Sequence, residues 1–430
     1  MRLSGWGRYP QIQAVACSFE TTEELAALVA GVQECIVHGA GRSYGDAALA
    51  PQVILSRRFD RILHFEPQTG VVYCESGVTL KDLLEVFLPR GWLPAVLPGT
   101  KFVTVGGAIA SDIHGKNHHL VGCFSEFVQS LELMLPSGEV VRCSREEHPA
   151  LFHATCGGLG LTGVILTARL KLQPVSSAYI RESIIPCAHL EELIWRSEER
   201  RAATYSVAWV DTLAPGNALG RGVLFLGEPL RDGPLEMPPV RCFYCPPAMP
   251  GFTLNRPGLA LFNRLFYHRA VPQERLVSLE QFFFPLDRLR HWNRLYGRQG
   301  FIQYHLVLPQ GASLAGLQEI LRRLRTEGLY PFLAVLKLCG PANENLLSFP
   351  LAGYSLALDF KIHPRLWPVL AELDHIVLDY GGRHYLTKDA RLSPEVLRRS
   401  YPRLEEFLQL RAELNGGGKF TSLLARRLEL

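Results

Sequence analysis

Two blocks near the front of this chain have the residue types and spacing to do chemistry. One is His38-Gly39-Ala40-Gly41-Arg42-Ser43-Tyr44-Gly45-Asp46. The other is Pro98-Gly99-Thr100, running on through Val105-Gly106-Gly107-Ala108-Ile109-Ala110-Ser111-Asp112-Ile113-His114-Gly115-Lys116-Asn117-His118-His119. Glycine lets the backbone take positive φ and lets a ligand approach the main chain closely. Successive bare N–H groups in such loops form concavities that hold anions. Two of them, about 60 residues apart and each following an apolar run, point to a large phosphate-containing cofactor held from two sides by backbone. Asp112, His114, His118 and His119 also admit a metal-cluster reading, although they lack a recognisable zinc spacing. Cys242-Phe243-Tyr244-Cys245 is a Cys-x-x-Cys without a second pair, and reads as a chance pairing.

The elements that position these blocks follow from periodicity and turn chemistry. Thr21 to Val32 reads as a helix capped by Thr21 or Thr22. Cys35 to Val37 is a short buried strand feeding the first loop, Val71 to Glu75 a strand, and Thr79 to Leu88 a helix with apolar residues at helical spacing. Leu131 to Arg142 turns at Pro136-Ser137-Gly138 as a hairpin. Gly157 to Gly163 is a third glycine-rich turn, leading into the strand Val164 to Leu172. From about Ala178 strand-like runs (Thr204 to Val210, Phe301 to Leu308, Phe332 to Leu338, Tyr354 to Ile362) alternate with helical segments (Ala315 to Glu327, Trp367 to Asp379), as in an α+β domain around an antiparallel sheet. Eight of the 29 prolines fall between Pro229 and Pro257. That stretch predicts a long surface loop, apolar through Leu259 to Tyr267, able to act as a lid or a membrane-contacting flap. Pro402 to Leu414 reads as a helix ending at Asn415-Gly416-Gly417-Gly418, with the tail docking back on the N-terminal part.

Composition bounds the answer. At 430 residues, with 47% hydrophobic and 20% charged residues, two globular domains are expected. A formal charge of +4 does not argue for a nucleic-acid partner and is compatible with an anionic substrate. The ten cysteines are scattered through apolar runs without a disulfide framework. MRLSGWGRYP lacks an apolar signal core, and no run is long enough to span a bilayer. The expected location is a reducing cytoplasm.

An ordered series of motifs carries a resemblance over nearly the whole chain: Gly5-Trp6-Gly7-Arg8, Gly41 to Asp46, Pro98 to His119, Gly160-Leu161-Thr162-Gly163, Phe301-Ile302-Gln303-Tyr304, Ser348-Phe349-Pro350, Thr387-Lys388-Asp389 and Ala425 to Leu430. It is similar to the vanillyl-alcohol-oxidase / p-cresol-methylhydroxylase superfamily of FAD enzymes, and within it to the decaprenylphosphoryl-β-D-ribose 2′-oxidases. The resemblance implies a two-domain α+β flavoprotein. Residues 1–178 and 383–430 would form the FAD-binding domain. Residues 179–382 would form the substrate domain, with its Pro-rich loop near 228–258.

The same resemblance implies the site. FAD contacts are expected from Gly39, Ala40, Gly41, Arg42, Ser43, Tyr44, Pro98, Gly99, Thr100, Val105, Gly106, Gly107, Ala110, Ile113, His114, Gly115, Asn117, His119, Gly163, Val164, Ile165 and Tyr385. Other superfamily members bond the flavin covalently to a histidine where this chain has Arg42, so non-covalent FAD is expected. Lys388 matches the family lysine that accepts the substrate proton or holds the substrate, and His114 the histidine near the flavin ring. Oxidation of a secondary alcohol needs such an acceptor beside the hydride-accepting cofactor, and a lysine desolvated near other cations can serve. Tyr44, Lys116, Trp209, Gln303, Tyr304, His305, Lys337 and Ser355 are expected to line the substrate side, with Lys116 and Lys337 giving a cationic site for a phosphate. Three positions depart from the mycobacterial members: Ser355 stands for asparagine, Ala357 for cysteine and His305 for glutamine. The implied reaction oxidises the 2-hydroxyl of a polyprenyl-phosphate-linked pentose to a 2-keto sugar. A separate short-chain NAD(P)-dependent reductase would complete a C2 epimerisation, with peripheral contact at the inner face of the plasma membrane. The three departures keep an alditol or aldonolactone oxidase open as the alternative. A flavin-free binding protein and a metal-dependent hydrolase stand further off.

Overall fold

The strand Val164–Pro174 runs through the middle of the first sheet, burying Val164, Ile165, Leu166, Ala168, Leu170 and Leu172. Val128–Met134 pairs on one side of it and Val71–Glu75 on the other. Val140–Ser144 and Ile62–Glu66 close the edges, and Trp92–Pro94 adds to its far end. The computed structural model describes residues 1–246, 254–414 and 418–430. The helix Leu80–Phe87 is started by a reciprocal cap between Thr79 and Asp82 and buries Leu80, Leu83, Leu84 and Phe87, the one-face spacing of an amphipathic helix, against this sheet. Beside it lies a small parallel sheet in the order Val15–Ser18, Gln52–Leu55, Ile36–His38. The crossover helix Thr22–Ala30 takes its cap from the Thr21 hydroxyl.

The second sheet has eight antiparallel strands in the order Gln273–Ser278, Tyr179–Cys187, Gly222–Pro229, Tyr205–Val210, Leu333–Cys339, Gly353–Lys361, Phe301–Pro309, Arg383–His384. The helices Leu190–Glu199, Gln310–Thr326 and Leu366–Asp379 cover one face, interlocking leucines such as Leu193, Leu317, Leu321, Leu370 and Leu373 with Leu306, Leu336 and Leu358. Side chains alternate across a strand, so the intervening residues point the other way, toward the glycine loops.

The tail crosses back. Leu386, Leu397, Phe407, Leu424 and Leu428 pack with Leu3, Ile36, Leu49 and Val53 in one core. Arg427 reaches both Asp46 (2.8 Å) and Asp389 (2.9 Å). The expected glycine stop after the helix Leu404–Glu413 lies, at 415–417, outside the described residues.

One expectation is overturned. The apolar stretch after Pro257 is not loop but the helix Arg256–Arg269. Asn255 caps it by accepting from the Gly258 N–H, and Pro257 sits in its first turn. Proline there pre-sets helical φ and forfeits only an N–H that has no partner in the first turn. Residues 247–253 of the Pro-rich segment lie outside the described residues.

Candidate active site

A cavity of about 610 Å³ lies between the open face of the eight-stranded sheet and the glycine loops. The first loop leaves the buried strand Ile36–His38 and turns at Gly41, whose φ is +62°. A Cβ on Gly39 would stand 2.6 Å from Thr104 Oγ1, so the two glycine loops touch and only glycine fits at the contact. Among the described residues none accepts from the main-chain N–H of Ala40, Gly41, Arg42 or Ser43. The second loop starts the short helix Val105–Ala110, with the Thr104 hydroxyl accepting from Gly107 N–H. The Arg42 guanidinium lies over Trp6, 4.3 Å from its ring centre.

The wall fits an anionic, hydrogen-bonding cofactor. Arg42 Nε, Ser76 Oγ, His114 Nδ1, His305 Nδ1 and Thr387 Oγ1 are buried without a hydrogen-bond partner, and all five residues line the cavity. Leaving such groups unpaired costs about 1–3 kcal/mol each, so a donor- and acceptor-rich ligand that pairs them is strongly favoured.

Of the residues expected to hold the cofactor, Gly39 to Tyr44, Pro98, Gly99, Thr100, Gly106, Gly107, Ala110, Ile113, His114, Gly163, Ile165 and Tyr385 line this cavity. Val105, Gly115, Asn117, His119 and Val164 are not on its wall. Val105 and Val164 are fully buried in apolar cores on either side of the loops. Asn117 Nδ2 donates to the Ala95 carbonyl, and a Cβ on Gly115 would press on Asn117 Oδ1 and Leu97. His119 Nε2 donates to the Ala203 carbonyl. These residues shape the loop from behind. The metal reading meets committed partners as well. Asp112 accepts from Ser125 N–H, Asn345 and Ser348, while His118 Nδ1 accepts from Gly340 N–H. Cys242 and Cys245 are both free thiols.

The substrate side draws on the sheet. Trp209, Gln303, His305 and Lys337 project into the cavity with Lys116, Lys388 and Tyr44. Ser355 does not reach the wall. It shares a 2.7 Å hydrogen bond with His305 Nε2 and so fixes that ring. Tyr304, expected to line the pocket, faces away because it alternates with Gln303 and His305. Its hydroxyl donates to Asp374 (3.1 Å) beside His384.

Electrostatics follow from three lysines in one enclosure. Burial pulls Lys388 down to about 7, Lys337 adding to the fall and Asp359 opposing it. Lys116 is pulled to about 7 by burial and by Lys337, and its ammonium donates to the Phe282 carbonyl below that ring. Burial also lowers Lys337, and it holds His114 and His305 well below their ordinary range, with the neighbouring lysines adding to the effect. Both imidazoles are therefore neutral near pH 7. The arrangement offers a lysine able to take a proton, neutral imidazoles, and cationic groups for a phosphate.

Sequence reasoning missed Asp359. Its carboxylate accepts from Gln303 Nε2 at 2.6 Å, and burial raises it to about 7. It lies two residues beyond Ala357 on the same strand face, a spacing that could have exposed it. Also missed was an apolar strip of Phe225, Phe266, Leu333 and Val335, which extends the wall beyond Trp209.

Comparison with known proteins gives three results. An FAD binding domain family matches residues 14–144. Decaprenylphosphoryl-β-D-ribose oxidase of Mycolicibacterium smegmatis is 37% identical, over 100% of this chain and 97% of that protein. More partial likenesses are a D-lactate dehydrogenase of Anaerostipes hadrus (31% identical, 43% of this chain, 41% of that protein) and a D-arabinono-1,4-lactone oxidase of Yarrowia lipolytica (28%, 38% and 32%).

Proposed function

Because the chain belongs to the decaprenylphosphoryl-β-D-ribose oxidase family and is an FAD-dependent oxidoreductase acting on a hydroxyl group, we propose that it oxidises the 2-hydroxyl of a polyprenyl-phosphate-linked ribose to a ketone. The observation that carries this reading is the polarity of one continuous cavity. Glycine loops line one part, Lys116, Lys337 and Lys388 another, and Trp209, Phe225, Phe266 and Leu333 an apolar strip. An amphiphile with a sugar, a phosphate and a prenyl chain uses all three surfaces, whereas a free sugar would leave the apolar strip unused.

Bound FAD supplies the acceptor for the hydride that leaves the carbinol carbon. Gly39 to Ser43 and Gly106–Gly107 would hold its phosphates, and Tyr385 and His114 would pack beside the ring system. FAD would be held non-covalently, since the loop offers Arg42 where a covalent histidine would stand, and among the described residues no cysteine lines the cavity. Lys388, neutral in a useful fraction near pH 7, takes the hydroxyl proton. Lys116 and Lys337 hold the phosphate. Gln303 and the Ser355-fixed His305 orient the sugar. A 2-keto product calls for a separate NAD(P)-dependent reductase to finish the inversion. A prenyl substrate calls for peripheral membrane contact, since no described helix is long and apolar enough to cross a bilayer.

Anaerobic mixing of the FAD-loaded protein with lipid-linked ribose tests the reading. Bleaching of the flavin band by that substrate, and not by free alditols or aldonolactones, is expected. Bleaching by a free alditol or aldonolactone alone overturns it.

A further inference from the structure

We propose that the helix Arg256–Arg269 is an interfacial helix that seats this enzyme on an anionic lipid bilayer and opens the apolar strip of the cavity toward it. The inference rests on the reading of a lipid-linked substrate and adds the surface and lipid charge through which that substrate is reached.

Three observations carry it. First, the helix is amphipathic in an inverted sense. Leu259 and Asn263 face inward and are buried, Asn263 Nδ2 donating to the buried Asp211 carboxylate at 2.8 Å. Leu261, Phe262 and Leu265 face outward, 58%, 50% and 45% exposed. At 100° per residue these three share one outer stripe, and water gains nothing from them. Second, the charge is one-sided. Residues 256–269 hold Arg256, Arg264 and Arg269 and no Asp or Glu. All three arginines are exposed, and none has an acidic partner among the described residues. An apolar stripe flanked by unpaired arginines is the pattern of helices that lie in the headgroup region of anionic membranes. Third, the stripe connects to the site. Phe262 stacks on Phe266 at 5.9 Å, and Phe266 packs on Trp209 at 4.7 Å. Phe266 and Trp209 both line the cavity. A prenyl chain leaving the bilayer along these rings stays in apolar contact throughout.

The test is co-sedimentation of the FAD-loaded full chain with vesicles of phosphatidylcholine alone or mixed with phosphatidylglycerol. Binding to the mixed vesicles, weakened by salt, is expected. Arg264→Glu/Arg269→Glu should lower the partition coefficient about tenfold or more, since each basic residue near such a surface contributes roughly a fivefold factor. Leu261→Asp/Leu265→Asp should abolish it. Neither pair lines the cavity, so both variants should keep their flavin and oxidise a short-prenyl, water-soluble analogue at the parental rate. Equal binding of parent and variants, or no preference for anionic vesicles, overturns the proposal. So does conversion of a dimer to a monomer by Leu261→Asp/Leu265→Asp, which would give this face to a second copy of the chain. Failure of the parent to oxidise the short-prenyl analogue would instead count against the proposed reaction, leaving the vesicle result to stand by itself.

Discussion

The ammonium group of Lys388 sits 3.9 Å from the centre of the Tyr44 ring. Two segments more than three hundred residues apart in the chain thus meet at one point of the cavity wall. The contact is enforced by backbone: Tyr44 N–H donates to the Thr387 carbonyl, and a Cβ on Gly45 would stand only 1.5 Å from the Asp389 carbonyl oxygen. The Tyr44 face restricts where this lysine can sit, while burial and the neighbouring Lys337 make it poor at keeping its proton, as a proton acceptor must be. Lys388→Ala should retain FAD and lose flavin reduction by about 10²–10⁴-fold. Stopped-flow absorbance after anaerobic mixing measures this, and loss of the flavin itself would assign Lys388 a structural role instead.

The rate of flavin reduction should climb with pH. Lys388 acts as a neutral amine, its proton leaves at about 7 rather than at the ordinary lysine value, and the active form is therefore the one favoured on the alkaline side. A pH profile of the reductive step should rise through a midpoint near 7 and flatten above it. A flat profile from pH 6 to 9 would remove the lysine from the proton-transfer step.

Asp359 opposes the fall in the Lys388 pKa, so removing its charge should let that pKa fall further. In Asp359→Asn the amide can keep the Gln303 bond, and the midpoint of the same profile should move about one unit to lower pH. An unchanged midpoint, with the rate merely reduced, would mean that Asp359 only packs the sheet.

Gly39→Val should empty the cofactor site. Its side chain would enter the 2.6 Å gap to Thr104 Oγ1 and force the two glycine loops apart. The purified variant should be colourless, with FAD affinity reduced at least about tenfold in fluorescence titration. A yellow variant with parental affinity would show that the loops need not touch to hold FAD.

The apolar strip should read chain length. Phe225→Asp places a carboxylate among Trp209, Phe266 and Leu333, and desolvating it costs several kcal/mol. The expected outcome is a KM raised for long prenyl substrates, with kcat and the KM of a short-prenyl analogue preserved. Equal effects on both substrates would place the prenyl chain elsewhere.

Much of this site was legible before the fold was known, for reasons that differ by segment. The loops at Gly39–Ser43 and Gly106–Gly107 are local: glycine density after a buried strand states what the backbone must do. The strand Val71–Glu75 and the helix after Thr79 were readable because their caps and periods lie within a few residues. Tyr304 was misplaced because membership of the cavity depends on which face of a strand looks inward, and the motif that named it carries no such phase; Ser355 shares the inward face with Ala357, but its hydroxyl is taken up by the His305 ring, which lines the cavity in its place. His119 was misplaced for a related reason: a one-residue step from the buried His118 turns its ring to Ala203. The helix Arg256–Arg269 was hidden by proline, which marks loops in bulk but also opens helices when it follows a capping asparagine. Asp359 was legible only through its two-residue spacing from Ala357; its bond to Gln303 and its raised pKa belong to the folded sheet.

The bridge from Arg427 to both Asp46 and Asp389 sets an order of assembly. The loop around Gly41 emerges early in synthesis, the lysine-bearing segment late, and the guanidinium that cross-braces the two later still. In a nascent chain the nucleotide-gripping loop is therefore made well before the lysine and the guanidinium that complete the site. Truncation just short of Arg427 should yield a protein that still turns yellow yet reduces its flavin sluggishly, separating capture of the coenzyme from competence to use it.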